Sequence, residues 1–284
     1  MITVIGNRLN SVNKKVLERM NKRDFEFVRR EVQLQTRQGA QYIEVNASSL
    51  LHNEIPFLQE ALPLIEEAGG NLLVMSDNVE ALAEALRISK REIIVGSVEY
   101  DTTKIGALLP LLRDRQAKLV ARVREKNDGN GHLYSPEKSL LIAQQYIDYL
   151  LDHGIHRGDI LLDPQILPLE DGFHNGKIFL DTLELFKLDF PQVKTVANIF
   201  QLSEGLPKRH LLASYFLSLA LSKGLDYVIT NVLDETIQEA IVTTFTIIGK
   251  DKHLQGYLQY CRNHKDGHSK GSKNGRSADK RDPA

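Results

Sequence analysis

The 284-residue chain has one cysteine, no tryptophan and no long run of apolar residues. Cys261 has no second cysteine with which to form an intramolecular disulfide, and without a CxxC pair it anchors no structural zinc site. The longest apolar, uncharged stretch is residues 211–222, whereas a membrane-spanning helix needs roughly 18 to 20 residues. We therefore expect no disulfide framework, no metal site of the chain's own and no membrane span.

An excess of charge of either sign is also absent. Lysine and arginine number 36 against 37 aspartate and glutamate residues, which gives a net charge of −1. Without an overall field, the chain has no general attraction for nucleic acid or for an anionic membrane. The first residues, MITVIG, are strand-like and lack the cationic segment and apolar stretch of a signal peptide, so we expect a cytoplasmic protein.

Hydrophobic residues, which make up 42% of the chain, recur as short β-branched runs separated by longer amphipathic stretches. This alternation is typical of βα units that are joined into a parallel sheet. Eight units can be counted. Their strand candidates are residues 2–5, 42–45, 71–75, 93–95, 118–123, 160–162, 195–199 and 227–229.

Helical periodicity is clearest at residues 24–38, 79–89, 136–153 and 208–223. Gly39, Gly154 and Gly224 follow three of these stretches, and glycine there supplies the left-handed conformation that ends many helices. The repeated units over residues 1–250 predict an α/β fold, a (β/α)8 TIM barrel. An open, doubly wound sheet is the alternative, although no GxGxxG motif follows the first strand.

The composition changes at the C-terminal end. Residues 251–262 form one more weak helical stretch, and residues 263–284 are rich in Lys, Ser, Gly and Asp and have no large apolar side chain. Such a segment cannot offset the conformational entropy that it would lose on ordering, so we expect a disordered tail. A solubilising role is favoured over contact with an anionic partner.

Polar residues follow most of the strand candidates. In a TIM barrel the chemistry is carried by the loops after the strands, so these residues predict a small-molecule site at the C-terminal rim. Neither histidine nor cysteine is among them, which favours binding by hydrogen bonds over a zinc site or a Cys–His nucleophile. The candidate binding residues are Asn10, Asn46, Asp77, Ser97, Asp163, Asn198, Gln201, Arg209 and Asn231.

Asp163 is the sharpest candidate, because it ends an apolar strand and precedes Pro164. A carboxylate there accepts two parallel N–H bonds from the amidine-like edge of a ring such as a pterin. Its alternative role is to cap the following turn. Arg209 also has two interpretations: it holds an anionic group of the ligand beside a helix N-terminus, or it belongs to a polar loop that leads into the helix.

Three strand-end motifs resemble those of the pterin-binding methyltransferases, which move a methyl group between methyltetrahydrofolate and the cobalt of a corrinoid protein. GNRLN (residues 6–10) resembles the family's GER-I/L-N motif, IEVNAS (residues 43–48) its acidic-x-N motif, and LLDPQILPL (residues 161–169) its Asp-Pro-x-I/V-L-P motif. The resemblance covers nearly the whole barrel. Dihydropteroate synthases share the fold, but their Ser-Arg-Lys signature after the seventh strand is missing here.

The resemblance implies roles for individual residues. Asp163 would hold the pterin edge, and Gln201 would stand where the family has an asparagine near N5 of the folate, which makes these two the catalytic residues. Arg209 would face the pterin or the anionic side of the folate. The resemblance also implies tetrahydrofolate or methyltetrahydrofolate as substrate, cobalamin carried by a corrinoid partner protein, and a homodimer as a further expectation.

Several positions depart from the family pattern. Met75 stands where the third strand normally ends in an aspartate, with Asp77 two residues later, and Gly96 replaces an asparagine. On the seventh strand Asn198 replaces a glycine and Phe200 a serine. Fewer polar groups would then hold a pterin. These departures motivate two alternatives, a scaffold protein that has lost the chemistry and an enzyme with a different methyl donor; a dihydropteroate synthase-like enzyme is a weaker one.

Overall fold

The computed structural model describes residues 2–124 and 135–263, and eight parallel strands close into a barrel in sequence order. The last strand pairs with the first, so the predicted TIM barrel is confirmed and the open sheet is wrong. The strands are β1 Thr3–Asn10, β2 Tyr42–Asn46, β3 Asn71–Met75, β4 Ile93–Glu99, β5 Lys118–Arg122, β6 Ile160–Asp163, β7 Lys194–Asn198 and β8 Tyr227–Thr230.

Two strands run further than the sequence predicts. β1 continues past residue 5 to Asn10, and β4 continues past residue 95 to Glu99. In both strands the pairing register shifts just after a glycine, Gly6 on β1 and Gly96 on β4. An irregularity of this kind interrupts the two-residue alternation in the sequence, yet the ladder of hydrogen bonds resumes beyond it.

Helices alternate with the strands, and the four predicted stretches agree with observed helices to within one residue at each end. Polar caps begin several of them: Asp24 and Asn78 each accept a hydrogen bond from a backbone N–H of the first turn. No helix in the described parts of the chain is long and apolar enough to cross a membrane. The helices are α1 Lys14–Asn21, α2 Phe25–Arg37, α3 Glu54–Glu67, α4 Val79–Ile88, α5 Thr102–Arg115, α6 Pro136–Asp152, α7 Asn175–Asp189, α8 Arg209–Ser222, α9 Glu235–Ile247 and α10 Gln255–Asn263, with short 3-10 helices at Ser48–Asn53, Arg157–Asp159, Ile199–Gln201 and Lys252–Leu254.

The centre of the barrel is filled by one apolar layer. Because alternate residues of a strand face opposite sides of the sheet, most other apolar residues of the strands pack outward against the helices in a larger cluster. The central layer, with one side chain from each strand, consists of Ile5, Tyr42, Leu73, Ile94, Val120, Leu161, Val196 and Ile229. The next inward-facing residues, towards the carboxyl ends of the strands, lie beyond this layer, and a ligand site can form there.

The chain divides into two compact units after Ile241, inside α9. The first unit carries the whole barrel. In the second, the structure describes the remainder of α9, the 3-10 helix Lys252–Leu254 and α10. Asn263, at which we placed the start of the tail, is the last residue of α10, and residues 264–284 lie outside the described residues. The boundary at residue 250 stays a prediction.

Gly96 is a position where the fold leaves no room for a side chain. A Cβ atom added there would lie 2.6 Å from the Cβ of Val120 and 2.9 Å from the carbonyl oxygen of the same residue. We predict that Gly96→Ala lowers the free energy of unfolding by about 1 to 3 kcal/mol, the usual cost of overpacking a closed core. Urea denaturation measures the change.

Gly106 in α5 is the matched control, because no other part of the described chain lies within 4 Å of the Cβ that an alanine would add. Gly106→Ala should raise the free energy of unfolding by about 0.5 to 1 kcal/mol, since alanine favours the helix over the unfolded chain. Equal effects of the two substitutions would contradict the packing argument.

Candidate functional site

A cavity of about 590 Å³ opens at the carboxyl ends of the strands, and we refer to it as the rim cavity. It lies above the central apolar layer, and Val196 and Ile229 of that layer form part of its wall. The structure brings most of the predicted site residues together here. Those that line the rim cavity are Asn10, Asn46, Asp163, Asn198, Gln201, Arg209 and Asn231.

Asp77 and Ser97 do not line the rim cavity. Both face a second cavity of about 220 Å³, together with Arg122 and Arg124. The backbone N–H of Asn78 donates to Ser76 Oγ at 3.0 Å, and the Asn78 side chain caps α4, so the chain turns into the helix directly after β3. Asp77 therefore does not replace the aspartate that the family has at the position of Met75.

Asp163 ends β6 and has a different environment at each carboxylate oxygen. Oδ1 accepts a hydrogen bond of 3.0 Å from the backbone N–H of Gln165, so one oxygen caps the turn. Oδ2 lies 3.6 Å from Nε of Arg122, and the Asp163 side chain is 16% exposed. Burial raises the pKa of Asp163, while the Arg122 guanidinium and the Gln165 N–H act in the opposite direction. Asp163 can therefore cap the turn after β6 and still bind a ligand, the two roles that the sequence left open.

Glu44 is a site residue that is absent from the set predicted above. It lies on β2 between Tyr42 and Asn46, lines the rim cavity and is 3% exposed. Asn10 Nδ2 donates to its Oε1 at 3.2 Å, whereas the buried Oε2 has no hydrogen-bond partner among the residues that the structure describes. Burial raises the pKa of Glu44 to about 8. The sequence contained a pattern that points to Glu44, because strand alternation places it on the same face as the predicted residue Asn46.

Arg122 is a second site residue that is absent from the residues predicted from the sequence. It ends β5, pairs in register with Asp163 and lines the rim cavity. Its Nε is buried and makes no hydrogen bond within residues 2–124 and 135–263. Glu44, Arg122 and Asp163 each lie two residues beyond a member of the central apolar layer on their own strand. The floor of the rim cavity therefore holds two carboxyls and one cation, beside the apolar Met75 at the equivalent position of β3.

His210 contradicts the expectation of a rim without histidine. It lies in the first turn of α8, lines the rim cavity and is hydrogen-bonded through Nδ1 to the Asp234 carboxylate. Its ring meets the Phe200 ring edge-on at 5.4 Å. The pKa of Asp234 is lowered by the hydrogen bonds from Thr236 and His210, which outweigh the effect of burial. His210 follows the strand-seven loop, and the folding of that loop brings it to the rim.

Asparagine oxygens at the rim are already used by the backbone. Asn46 Oδ1 accepts from the N–H and hydroxyl of Ser48, and Asn198 Oδ1 accepts from the N–H of Phe200 at 3.3 Å. Asn231 Oδ1 accepts from the N–H of Leu233 at 3.2 Å. These side chains hold the turns after their strands, and what they can offer to a ligand is their N–H2 groups.

Gln201 and Arg209 both belong to the segment between β7 and α8. Gln201 ends the 3-10 helix Ile199–Gln201, directly above β7. Arg209 Nη2 donates to the carbonyl oxygen of Phe200 at 3.2 Å, so the guanidinium ties the helix N-terminus to the loop. Arg209 therefore has a structural contact and also faces the rim cavity.

Comparison with known proteins decides the family. Residues 6–231 match the family described as pterin binding enzyme. The chain belongs to this family. The resemblance that the strand-end motifs predicted is thereby confirmed, and the rim cavity is the cavity of a pterin-binding enzyme barrel.

The individual relatives share little sequence identity with this chain. A methylcorrinoid:tetrahydrofolate methyltransferase of Eubacterium limosum is 26% identical over 267 residues, which cover 93% of this chain and 97% of the relative. Among solved structures, a dihydropteroate synthase of Coxiella burnetii in complex with pteroic acid has a TM-score of 0.63 at 14% identity, covering 87% of this chain and 94% of that one. A Yersinia pestis dihydropteroate synthase has a TM-score of 0.60 at 15% identity, covering 87% and 93%. The likeness to these two solved structures shows the shared fold alone.

Glu44 makes the stability of the chain depend on pH. Because burial raises its pKa from 4.5 to about 8, the folded chain holds this proton more tightly than the unfolded chain, and stability is lost as the pH rises through that interval. We predict that Glu44→Gln, which removes the titration, raises the free energy of unfolding above that of the unsubstituted chain by about 2 to 4 kcal/mol near pH 9 and by little near pH 4.5.

Urea unfolding at several pH values measures this difference. The exposed Glu239→Gln is the control, and its stability should run parallel to that of the unsubstituted chain. If the advantage of Glu44→Gln did not grow with pH, the Glu44 carboxyl would have to ionise as readily in the folded chain as in the unfolded one.

Proposed function

We propose that the chain is a methyltransferase that moves a methyl group between a corrinoid protein and tetrahydrofolate, with the pterin ring bound in the rim cavity. The observation that carries the proposal is Asp163, a buried carboxylate at the end of β6 within the sixth-strand motif, facing the rim cavity. The relative from Eubacterium limosum supports the reaction, because the two chains align over nearly their whole lengths.

The rim cavity suits a small polar ring. Its volume of about 590 Å³ lies within the roughly 300–1,000 Å³ that is usual for ligand pockets. Glu44 Oε2 is buried without a hydrogen bond from the described residues, and an unsatisfied buried polar group costs about 1 to 3 kcal/mol. A ligand with its own donors and acceptors removes this cost, whereas an apolar ligand does not.

Asp163 binds the ring by accepting N–H bonds from its amidine-like edge. An ionised carboxylate is an acceptor only, and paired charge-assisted bonds give both affinity and orientation. The nearby Arg122 favours the ionised form of Asp163. Arg209, which also lines the rim cavity, faces the anionic side of the folate.

Gln201 acts at N5 of the folate. In the direction of tetrahydrofolate, N5 attacks the methyl carbon, the carbon–cobalt bond breaks with its electron pair left on the cobalt, and N5 releases its proton to solvent. The Gln201 amide oxygen accepts a hydrogen bond from N5–H as positive charge develops there, which lowers the barrier. Because both reacting centres belong to the substrates, no nucleophile of this chain is needed.

A binding protein without the chemistry is the second candidate. It is favoured by Met75, an apolar side chain in the rim cavity where the family has an aspartate, and by Asp77, which lies outside that cavity. Such a protein would keep the barrel and a corrinoid-protein partner, and it would bind folate weakly or not at all.

We predict that Asp163→Asn weakens binding of tetrahydrofolate about 10- to 100-fold in anaerobic titration calorimetry, because a charge-assisted hydrogen bond is worth about 1.5 to 3 kcal/mol. Asp77→Asn makes the same chemical change outside the rim cavity and should leave the affinity unchanged. Absence of any heat with tetrahydrofolate or methyltetrahydrofolate, from a chain shown to be folded, would refute the binding proposal.

Turnover separates the two candidates. With a methylated corrinoid protein and tetrahydrofolate, we predict formation of methyltetrahydrofolate at a rate well above that without this chain, and Gln201→Ala should lower kcat by about 100-fold with a smaller effect on folate affinity. A rate no higher than the background of free methylcobalamin, in a chain that still binds the corrinoid protein, would favour the scaffold.

A further inference from the structure

Glu44 is a buried ionisable group to which the proposed reaction assigns no role. Its side chain is almost fully buried, and it faces the rim cavity. Arg122, the cation of the cavity floor, is paired with Asp163, and within residues 2–124 and 135–263 no salt bridge reaches Glu44. A lone carboxylate in this position would lack a compensating charge, which is costly in a buried site.

The hydrogen bond to Asn10 fixes which oxygen of the acid carries the proton. Asn10 Nδ2 donates to Oε1, so Oε1 is the acceptor oxygen. With burial raising the pKa of Glu44 to about 8, the un-ionised form of the carboxyl predominates at neutral pH. Its proton then lies on Oε2, the oxygen without a partner. Buried O–H groups are normally hydrogen-bonded, and a ligand in the rim cavity can supply the acceptor.

The barrel places this donor opposite Asp163. β2 and β6 are four strands apart in either direction around the closed eight-stranded barrel, and both side chains line the same cavity. A flat ring between them would meet Asp163 at one edge and Glu44 at the other. A pterin has N–H donors, which suit a carboxylate, and also ring-nitrogen and carbonyl acceptors, which a carboxylate would repel and Met75 would leave unpaired.

We propose that Glu44 is a further ligand-binding residue, an un-ionised acid whose Oε2–H donates a hydrogen bond to an acceptor atom of the ring held by Asp163. This inference rests on the proposed function, because it takes the ring to be a pterin. Glu44 thereby selects rings with an acceptor opposite their donor edge, and it supplies a hydrogen bond to the ring that the side chain of Met75 cannot make.

Two substitutions at Glu44 test the proposal through the affinity for tetrahydrofolate, measured by anaerobic calorimetry between about pH 6 and pH 9. Glu44→Gln keeps an acceptor for Asn10 and an N–H donor in place of Oε2–H, so its affinity should stay within about 3-fold of that of the unsubstituted chain at pH 7. Glu44→Leu removes the donor and should weaken binding by at least about 10-fold at pH 7.

The pH dependence of the affinity for tetrahydrofolate shows whether Glu44 binds the ring as an un-ionised acid or as a carboxylate. The unsubstituted chain should lose affinity by about 10-fold as Glu44 ionises towards pH 9, since only the un-ionised fraction binds. The other titratable side chains that face the rim cavity are Arg122, Asp163, Glu204, Arg209 and His210. Their contributions are also present in Glu44→Gln, so the loss that is absent from Glu44→Gln belongs to Glu44.

Glu54→Gln is the matched control, because Glu54 is also buried, has a pKa raised by burial and does not line the rim cavity. Its affinity and pH profile should equal those of the unsubstituted chain. The proposal is overturned if Glu44→Gln binds as weakly as Glu44→Leu, or if Glu44→Leu binds as well as the unsubstituted chain. If the unsubstituted chain binds no folate, the proposed function fails as well; if it binds and the Glu44 variants match it, this inference alone fails.

Discussion

Closure of the barrel around one apolar layer is the constraint on which the site depends. Eight side chains fill the centre of the barrel, so the next inward-facing residue on a strand can neither reach solvent freely nor join the apolar layer. Glu44, Arg122 and Asp163 occupy such positions on β2, β5 and β6. Because a closed barrel has no edge, residues that are far apart in the sequence line one cavity.

The two carboxyls of the cavity floor differ because their neighbours differ. Burial raises the pKa of both, but Asp163 has the cation of Arg122 beside it, whereas Glu44 has only the neutral amide of Asn10. One environment favours a charged acceptor and the other a neutral acid. Two carboxyls with separate roles are a recurring means by which one site handles both donors and acceptors.

The structure of the barrel explains the departure from the family pattern at Gly96 and shows that Asp77 does not offset the one at Met75. The close approach of Val120 leaves no space at Gly96 for any side chain, so an asparagine there would require the β4–β5 pair to change. Asp77 turns away with the start of α4 and does not compensate for Met75. The polar contacts of the rim cavity therefore come from β1, β2, β5, β6, the strand-seven loop and Asn231, and none comes from β3 or β4.

The sequence by itself determined the barrel, its helices and the position of Asp163, because these depend on local periodicity, on glycine at helix ends and on the residue that follows an apolar strand. Strand alternation within Tyr42–Asn46 also contained the signal for Glu44. Only the tertiary structure decided that Asp163 pairs with Arg122, that Glu44 Oε2 lacks a partner and that His210 reaches the rim while Asp77 does not. Those properties depend on burial and on contacts between distant strands and loops, which one strand's sequence does not specify.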